Sequence, residues 1–358
     1  DIKGAFVRSA FMSLTAMVLT VVLSVLAGLA FRKRFRFQNL LFYVTVASLI
    51  VPSIVTSLGI ALQFGFTGLL NFGQAAFAAL GAYGYAIATL TFGWPWYSSM
   101  LFGLLCSALF AVLLGIPTLR LRADYLAIVT IASSQALVSV FGVGQYRDVT
   151  GGSNGLSQFG ESFYSLNFLP DQRFEIGVLT YSSNEVFIRI VAWSLVILAA
   201  LLLLVLTRSP WGRVLKGIRE DEDAIRSLGK NVFVYKMQSL IIGGTLASLG
   251  GMVFVMTSQT NQPVTWGTEF TFMTWTILLL GGAATILGPI FGGMIFFALL
   301  MFIQGILEGL VNLGLLPFLD VAQVGQIRYL LVGLVLMLLV IFRPQGIFGN
   351  KKETQFNG

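Results

Sequence analysis

Apolar blocks about as long as a membrane-spanning helix alternate with short polar segments along most of this chain. The blocks cover residues 10–31, 39–62, 77–92, 98–118, 124–142, 186–206, 237–257, 268–287, 290–315 and 327–342. A helix needs about 20 apolar residues to cross the hydrocarbon of a bilayer, whereas strands of a membrane barrel alternate apolar and polar residues in runs of about ten. The pattern therefore predicts an all-α, polytopic integral membrane protein.

One apolar stretch, residues 65–84, is interrupted by glycines and amide side chains. Such residues are tolerated at membrane depth where the backbone is buried in protein or lines a wet cavity, so we expect a broken or re-entrant segment. Residues 39–62, kinked at Pro52, would run outward, and residues 63–76 would carry the chain inward, which makes about eleven crossings. A second interrupted stretch, residues 281–293, makes inverted repeats possible.

Small residues spaced four apart mark a second feature of the apolar pattern. Gly243, Ala247 and Gly251 fall on one side of the span predicted at residues 237–257. A stripe of small side chains lets two helices approach closely in a membrane. We therefore expect this span to pack tightly against a neighbour.

Composition and charge agree with a membrane protein: the chain is 56% hydrophobic and 10% charged, with a mean hydropathy of +0.87. The net charge is +7. Most positive charges cluster at residues 32–36, 120–122, 207–236 and 343–352. The positive-inside rule places these clusters in the cytoplasm, so membrane orientation explains the charge better than a nucleic-acid partner does.

This orientation predicts the domain organisation. Residues 1–358 form a single transmembrane domain whose C-terminus is cytoplasmic and whose N-terminus is external. The polar, turn-rich residues 143–185 form the longest external loop, and residues 207–236 form a cytoplasmic loop. Even at the lower end, a charge costs roughly 2.5 kcal/mol at the bilayer centre, so the densely charged residues 207–236, here called the charged loop, must lie in water.

Apolar residues recur at helical spacing in the charged loop, which predicts one short amphipathic helix. These residues are Val214, Ile218, Ile225 and Leu228. Ser209 before a proline gives a start and Gly229 a stop, and Glu222 can pair with Arg226 four residues later. The apolar side could press on the protein's own helix ends, on the membrane surface or on another subunit.

The sequence lacks the residues that most enzyme and metal sites need. It has no histidine and one cysteine, Cys106, and it contains no GxxxxGK[ST] nucleotide-binding motif. We therefore expect no catalysis, no cofactor and no metal site. Carboxylates are scarce within the spans, and Glu308, the best candidate for a relay in an ion-driven carrier, lacks an evident partner at depth.

The interrupted stretch carries the best candidates for a substrate route. Thr67, Gly68, Asn71, Gly73 and Gln74 lie within it. A glycine-broken helix exposes backbone amides and carbonyls that could hold the zwitterionic end of an amino acid. The same break could instead be only a packing device, and the residues alone leave both readings open.

Several motifs together resemble a known family. They are GFTGLLNFGQAAFAALGAY, LRADYLAIVTIA leading to TGGSNGL, SPWGRVLKGIREDEDAIRSLG, GGAATILGPIFGG and FRPQGIFG. In combination they resemble the inner-membrane permease subunits of branched-chain amino acid ABC importers, the LivH/LivM class, and more closely LivM. The resemblance covers nearly the whole chain after about residue 40.

The resemblance implies that Glu220 to Gly229 is a coupling helix seated in a groove of a cytoplasmic ATPase. Its coupling residues would be Gly217, Glu220, Asp221, Glu222, Ala224 and Gly229. The implied partners are a second, LivH-like permease subunit, two ABC ATPases, an extracytoplasmic solute-binding protein, a small-molecule substrate and membrane lipid. The implied location is the inner membrane of a bacterium or archaeon, and ATP would be hydrolysed by the partners.

The implied function is passage of branched-chain or other neutral hydrophobic amino acids. The route would be lined by Thr67, Gly68, Asn71, Gly73, Gln74 and Gln135. Gln74 stands where the family often has histidine and Gln135 where an acidic residue is frequent, so urea or a short amide is an alternative substrate. An ion-driven secondary transporter and a non-transporting scaffold are the alternative functions.

Overall fold

The computed structural model describes residues 50–176, 179–312 and 345–349, with single positions between residues 325 and 342. The first predicted span, residues 10–31, lies outside the described residues. Most of the last one, residues 327–342, does too. The strands are β1 (Leu156–Ser157), β2 (Phe174–Ile176), β3 (Leu179–Tyr181) and β4 (Thr260–Asn261). The helices are α1 (Val51–Ile60), α2 (Gln74–Leu90), α3 (Trp96–Thr118), α4 (Ala123–Phe141), α5 (Arg147–Thr150), α6 (Glu161–Tyr164), α7 (Ser183–Arg208), α8 (Pro210–Glu220), α9 (Glu222–Ser227), α10 (Val232–Ser258), α11 (Thr268–Gly281) and α12 (Leu287–Asn312).

Five of these helices are long and apolar enough to cross a membrane: α3, α4, α7, α10 and α12. They correspond to the predicted spans at residues 98–118, 124–142, 186–206, 237–257 and 290–315. The remaining apolar helices are shorter, and the strands form only two small ribbons, β1 with β4 and β2 with β3. The all-α, polytopic membrane fold is confirmed.

Helix α10 is the centre of the bundle. In its most apolar window 67% of the residues are buried, against 22–33% in the other four long helices. A Cβ atom at Gly251 would lie 2.1 Å from the carbonyl oxygen of Ala78, and one at Gly243 would lie 2.7 Å from that of Gly59. The small-residue stripe therefore brings α10 close to both α1 and α2, as the spacing predicted.

The direction of α1 corrects one prediction. Residues 51–66 run antiparallel to α10, since Gly250 packs on the carbonyl of Pro52 and Gln63 Nε2 donates to the carbonyl of Leu240 at 3.2 Å. The chain therefore approaches the charged loop here, whereas residues 39–62 were expected to run away from it. Pro52 starts a helix instead of kinking one, because a proline in the first turn gives up no hydrogen bond.

The predicted interruption is a non-helical segment at residues 67–73, which we call the break. A π-helical turn, Ala61–Phe66, continues α1 up to it, and α2 leaves it in the opposite direction from Gln74. Gly68 adopts φ +76°, a left-handed conformation that favours glycine. The inward run thus ends at Phe66, about ten residues earlier than the predicted residues 63–76.

The second interrupted stretch separates α11 from α12 at residues 282–286. It packs directly on the first, because a Cβ atom at Gly65 would lie 1.8 Å from the carbonyl oxygen of Ala283. Ser57 donates to the carbonyl of Thr274 at 2.9 Å, and Ala61 packs near Leu278, so α1 and α11 run in the same direction. These two stretches are therefore not the matching parts of an inverted pair.

The segment expected as an external loop, residues 143–185, is built from short helices and strands. Strand β1 pairs with β4 beyond the end of α10. Tyr164 donates to the carbonyl of Met256 at 2.8 Å, and burial raises the pKa of its phenol. Ser182 and Glu185 form a capping box that starts α7 at Ser183. This segment is therefore anchored to the helix bundle.

Candidate functional site

Three amide side chains meet where the break joins α10, and we call them the amide cluster: Gln63, Asn71 and Gln74. Asn71 Nδ2 donates to Gln63 Oε1 and to Gln74 Oε1, both at 3.0 Å. Asn71 Oδ1 accepts from the backbone N–H of Gly73 at 2.9 Å. All three side chains are at most 1% exposed. The polar residues of the interrupted stretch therefore satisfy one another in the interior.

The amide cluster also joins the break to the neighbouring helices. Gln63 Nε2 donates to the carbonyl of Leu240 and Gln74 Nε2 to that of Gly243, each at 3.2 Å. Trp275 Nε1 donates to the carbonyl of Asn71 at 3.1 Å. Buried amides cost free energy unless they are hydrogen-bonded. The cluster thus fixes the break against α10 and α11.

The other predicted route residues occupy different positions. Thr67 is buried and its hydroxyl lies 2.7 Å from that of Ser239. Gly73 packs on the carbonyl of Thr130, at 2.6 Å from the position a Cβ would take. Gln135 does not join them, because its side chain is on the exposed side of α4. The structure brings together Asn71, Gly73 and Gln74 and leaves Gln135 apart.

A cavity of about 300 Å³ opens between the break and the charged loop. Thr67 and Gly68 line it from the break, while Arg219, Glu222 and Lys236 line it from the other side. A second, more open cleft of about 540 Å³ lies at the opposite end of the bundle, beside Trp94 and residues 158–165. The bundle therefore has a recess at each end.

The charged loop folds into two helices where one was predicted. Helix α8 begins at Pro210 with Ser209 as its cap, as expected. It ends at Glu220 because Asp221 is extended, with φ −152°, and its carboxylate accepts from the N–H groups of Asp223 and Ala224 at 3.0 Å. Asp221 is thus the N-cap of α9.

The apolar residues of the charged loop do not share one face. Leu215 and Ile218 of α8 are buried in the core that includes Leu62 and Phe66, so α8 presses on the protein's own helices. Ile225 packs against the same core, but Leu228 is 74% exposed. The apolar side of α8 is therefore satisfied within this chain, and the end of α9 offers an unpaired leucine to solvent.

The predicted coupling residues divide between the interior and the surface. Gly217 allows α9 to pack on α8, since a Cβ there would lie 2.6 Å from Ile225 Cδ1. Glu222 pairs with Arg226, as the spacing predicted, and also with Lys236 of α10. Glu220, Asp221, Ala224 and Gly229 are exposed. The outer surface of α9 is therefore accessible and carries charges of both signs, Asp223 and Arg226.

Sequence reasoning missed four residues of this region: Gln63, Lys216, Arg219 and Ser239. Gln63 could have been found, because it is an amide in an apolar run eight residues before Asn71. The partners of Lys216 and Arg219 lie about 150 residues earlier in the chain, in the π-helical turn. No local pattern indicates such contacts.

Comparison with known proteins identifies the family. Residues 39–342 match the family model described as the permease component of branched-chain amino acid transport systems. This match covers most of the chain. The chain belongs to this family of permease components. No solved structure matches it.

Named relatives agree with the family match. The chain is 30% identical over 315 residues to the high-affinity branched-chain amino acid transport system permease protein LivM of Escherichia coli, covering 85% of this chain and 69% of the relative. It is 23% identical over 336 residues to the probable LivM of Methanocaldococcus jannaschii, covering 83% and 90%. A nucleoside ABC transporter permease protein, NupC of Lactococcus lactis, is 29% identical over 248 residues, covering 63% and 68%.

The family and the helices together make this permease component a multi-pass inner-membrane protein. Within the described part of the chain, no group of three or more His, Cys, Asp or Glu residues could hold a metal ion. The amide cluster offers hydrogen bonding by amides and carbonyls, and the cavity beside it adds the charged side chains of Arg219, Glu222 and Lys236.

Proposed function

We propose that this permease is the translocation subunit of an ATP-driven importer of branched-chain or other neutral hydrophobic amino acids. The observation that carries the proposal is the match of residues 39–342 to the permease component of such systems. The relatives named LivM support the same substrate class. ATP would be hydrolysed by partner subunits, because the sequence has no P-loop motif.

Helix α9 is the proposed docking element for a cytoplasmic ATPase. Leu228 is 74% exposed at its end, and the side chain of Asp223 in its first turn is 89% exposed. An exposed apolar side chain near polar groups matches the apolar core and polar rim of a protein–protein interface. The coupling residues Gly217, Glu220, Asp221, Glu222, Ala224 and Gly229 would then support or form this contact, two ATPases serving the two permease subunits.

The break is the proposed moving wall of the substrate route. In this structure Asn71 and Gln74 are buried and bonded within the amide cluster, so a solute does not reach them. Separation of the break from α10 would release the amides and the carbonyls of Leu240 and Gly243. Those groups could bind the ammonium and carboxylate of an amino acid. Thr67, Gly68 and Gly73 belong to the same route.

The remaining partners are assigned by surface character. An exposed apolar stripe on α3 suits lipid or a second, LivH-like permease subunit. It consists of Leu101, Leu105, Leu109 and Leu113. The cleft beside Trp94 is at the end opposite the charged loop, where an extracytoplasmic binding protein would deliver substrate. In this orientation residues 207–236 and the C-terminus are cytoplasmic, residues 143–185 are external, and residues 1–358 form one permease domain.

Uptake by reconstituted vesicles tests the proposed function. The permease would be combined with its candidate partner permease, ATPases and binding protein, and uptake of radiolabelled leucine, uridine and urea would be compared. We expect ATP-dependent leucine uptake that survives an ionophore. Uridine is included because one relative is named as a nucleoside permease. Uptake that needs no ATP but collapses with the ionophore, or that favours uridine or urea over leucine, would overturn the proposal.

A further inference from the structure

Arg219 joins the charged loop to the end of the broken transmembrane helix. Its side chain is 8% exposed, and Nη1 donates to the carbonyl oxygen of Gly65 in the π-helical turn. The last carbonyls of a helix lack partners within the helix. Here the carbonyls of Gln63 and Phe64 accept from Leu69 and Gly68, while that of Gly65 accepts from Arg219.

Helix α8 holds this turn at more than one point. Lys216, one helical turn before Arg219, places its Nζ 5.5 Å from the ring centre of Phe66. A Cβ atom at Gly68 would lie 3.3 Å from Arg219 Cγ, so the glycine lets the break pass close to the arginine. Two cations thus lie at the negative end of a helix dipole, where positive charge is favourable.

The same helix is tied to the surface element that faces the cytoplasm in the proposed orientation. Helix α9 packs on α8 through Ile225 and Gly217. Trp211 Nε1 of α8 donates to Gln238 Oε1 of α10 at 2.7 Å. A displacement of α9 would therefore reach α8, and Arg219 is the polar link from α8 to the turn that precedes the break. That link ends six residues before Asn71 of the amide cluster.

We propose that Arg219 is the positioning residue through which movement of the charged loop reaches the break and opens or closes the amide cluster. The inference deepens the proposed function and rests on it for the direction of the signal. The contact between Arg219 and Gly65 does not depend on the proposed function. Two measurements therefore separate the contact from its use in transport.

The first measurement tests the contact in the purified chain, without any partner. Hydrogen exchange of residues 61–73 would be compared in lipid nanodiscs for the native chain, Arg219→Gln and Arg213→Gln. Arg213 is the matched control because it lies exposed on the same helix. Loss of a charged hydrogen bond should speed exchange about tenfold or more in Arg219→Gln, while Arg213→Gln stays within about twofold. Equal exchange in all three would overturn the proposal.

The second measurement tests transmission in the assembled transporter. We expect Arg219→Gln to assemble with the ATPases and to hydrolyse ATP, but to move at least about tenfold less leucine per ATP, since one charged hydrogen bond is worth about that factor. Arg219→Lys, which keeps the charge, should recover part of the ratio. Arg213→Gln should transport normally. An unchanged ratio of leucine to ATP in Arg219→Gln would contradict the transmission role.

The two proposals fail in different ways. If the native chain binds no ATPase and shows no ATP-dependent uptake, the proposed function is wrong. Hydrogen exchange of residues 61–73 still shows whether Arg219 bonds to the carbonyl of Gly65. If the native transporter works and Arg219→Gln loses assembly together with uptake, the role in transmission is contradicted. Should Arg219→Gln fail to fold, Arg219→Lys carries both measurements, with a smaller loss expected in each.

Discussion

Replacement of Asn71 by leucine is the sharpest test of the amide cluster. The side chain makes three hydrogen bonds, to Gln63 and Gln74 at 3.0 Å and from the N–H of Gly73 at 2.9 Å. Leucine has nearly the same shape but makes none of them. The change would leave two buried amide oxygens and one backbone N–H without this partner.

The size of the effect follows from these three bonds. One intramolecular hydrogen bond contributes about 0.5–1.5 kcal/mol to stability. Three of them give a loss of about 1.5–4.5 kcal/mol in the free energy of unfolding. We favour the upper part of that range, because Asn71 is 1% exposed and an unsatisfied buried group costs about 1–3 kcal/mol.

The free energy of unfolding can be measured by reversible titration with SDS in mixed micelles, followed by tryptophan fluorescence. Trp275 donates to the carbonyl of Asn71 and would report locally. The control is Gln135→Leu, which removes an exposed amide and should change the free energy by less than about 0.5 kcal/mol. A loss below about 0.5 kcal/mol for Asn71→Leu, or an equal loss in the control, would refute the reasoning.

Three further substitutions have defined outcomes. Gly251→Ala should lower the melting temperature and cost about 1–3 kcal/mol by overpacking, since its Cβ would lie 2.1 Å from a carbonyl oxygen. The control is Gly305→Ala, which has open space around it and should leave the melting temperature unchanged in the same thermal scan. Lys236→Met should cost about 1.5–3 kcal/mol in the SDS titration, because the Lys236 side chain is 14% exposed and pairs with Glu222, which keeps Arg226 as its other partner. Leu228→Asp should leave stability unchanged but weaken ATPase binding in a pull-down; undiminished binding would contradict docking through α9.

The sequence predicted the features that leave a signal in neighbouring residues, such as long helices and close helix packing. Long apolar runs are sufficient to locate helices such as α3 and α7, because length and hydropathy decide what a bilayer accepts. The small residues from Gly243 to Gly251 predicted close packing, since only small side chains allow it. The break was also predictable, because glycine and amide groups are costly in hydrocarbon.

The errors arose where a local signal has two meanings. Pro52 suits a kink within a helix and the first turn of one equally well, and only the start of α1 at Val51 shows which applies. Helical periodicity continues through the charged loop, so nothing in the spacing revealed that Asp221 would cap a second helix. Arg219 was missed because its partner, the carbonyl of Gly65, is far away in sequence.

Hydrogen exchange on adding the ATPases is the most direct test of the central claim, that the charged loop docks an ATPase and transmits its movement to the break. The native chain would be labelled in nanodiscs alone and then with its candidate ATPases. We predict that residues 222–229 gain protection by docking, and that exchange of residues 61–73 changes as ATP is added. Residues 222–229 that gain no protection on mixing would contradict the account.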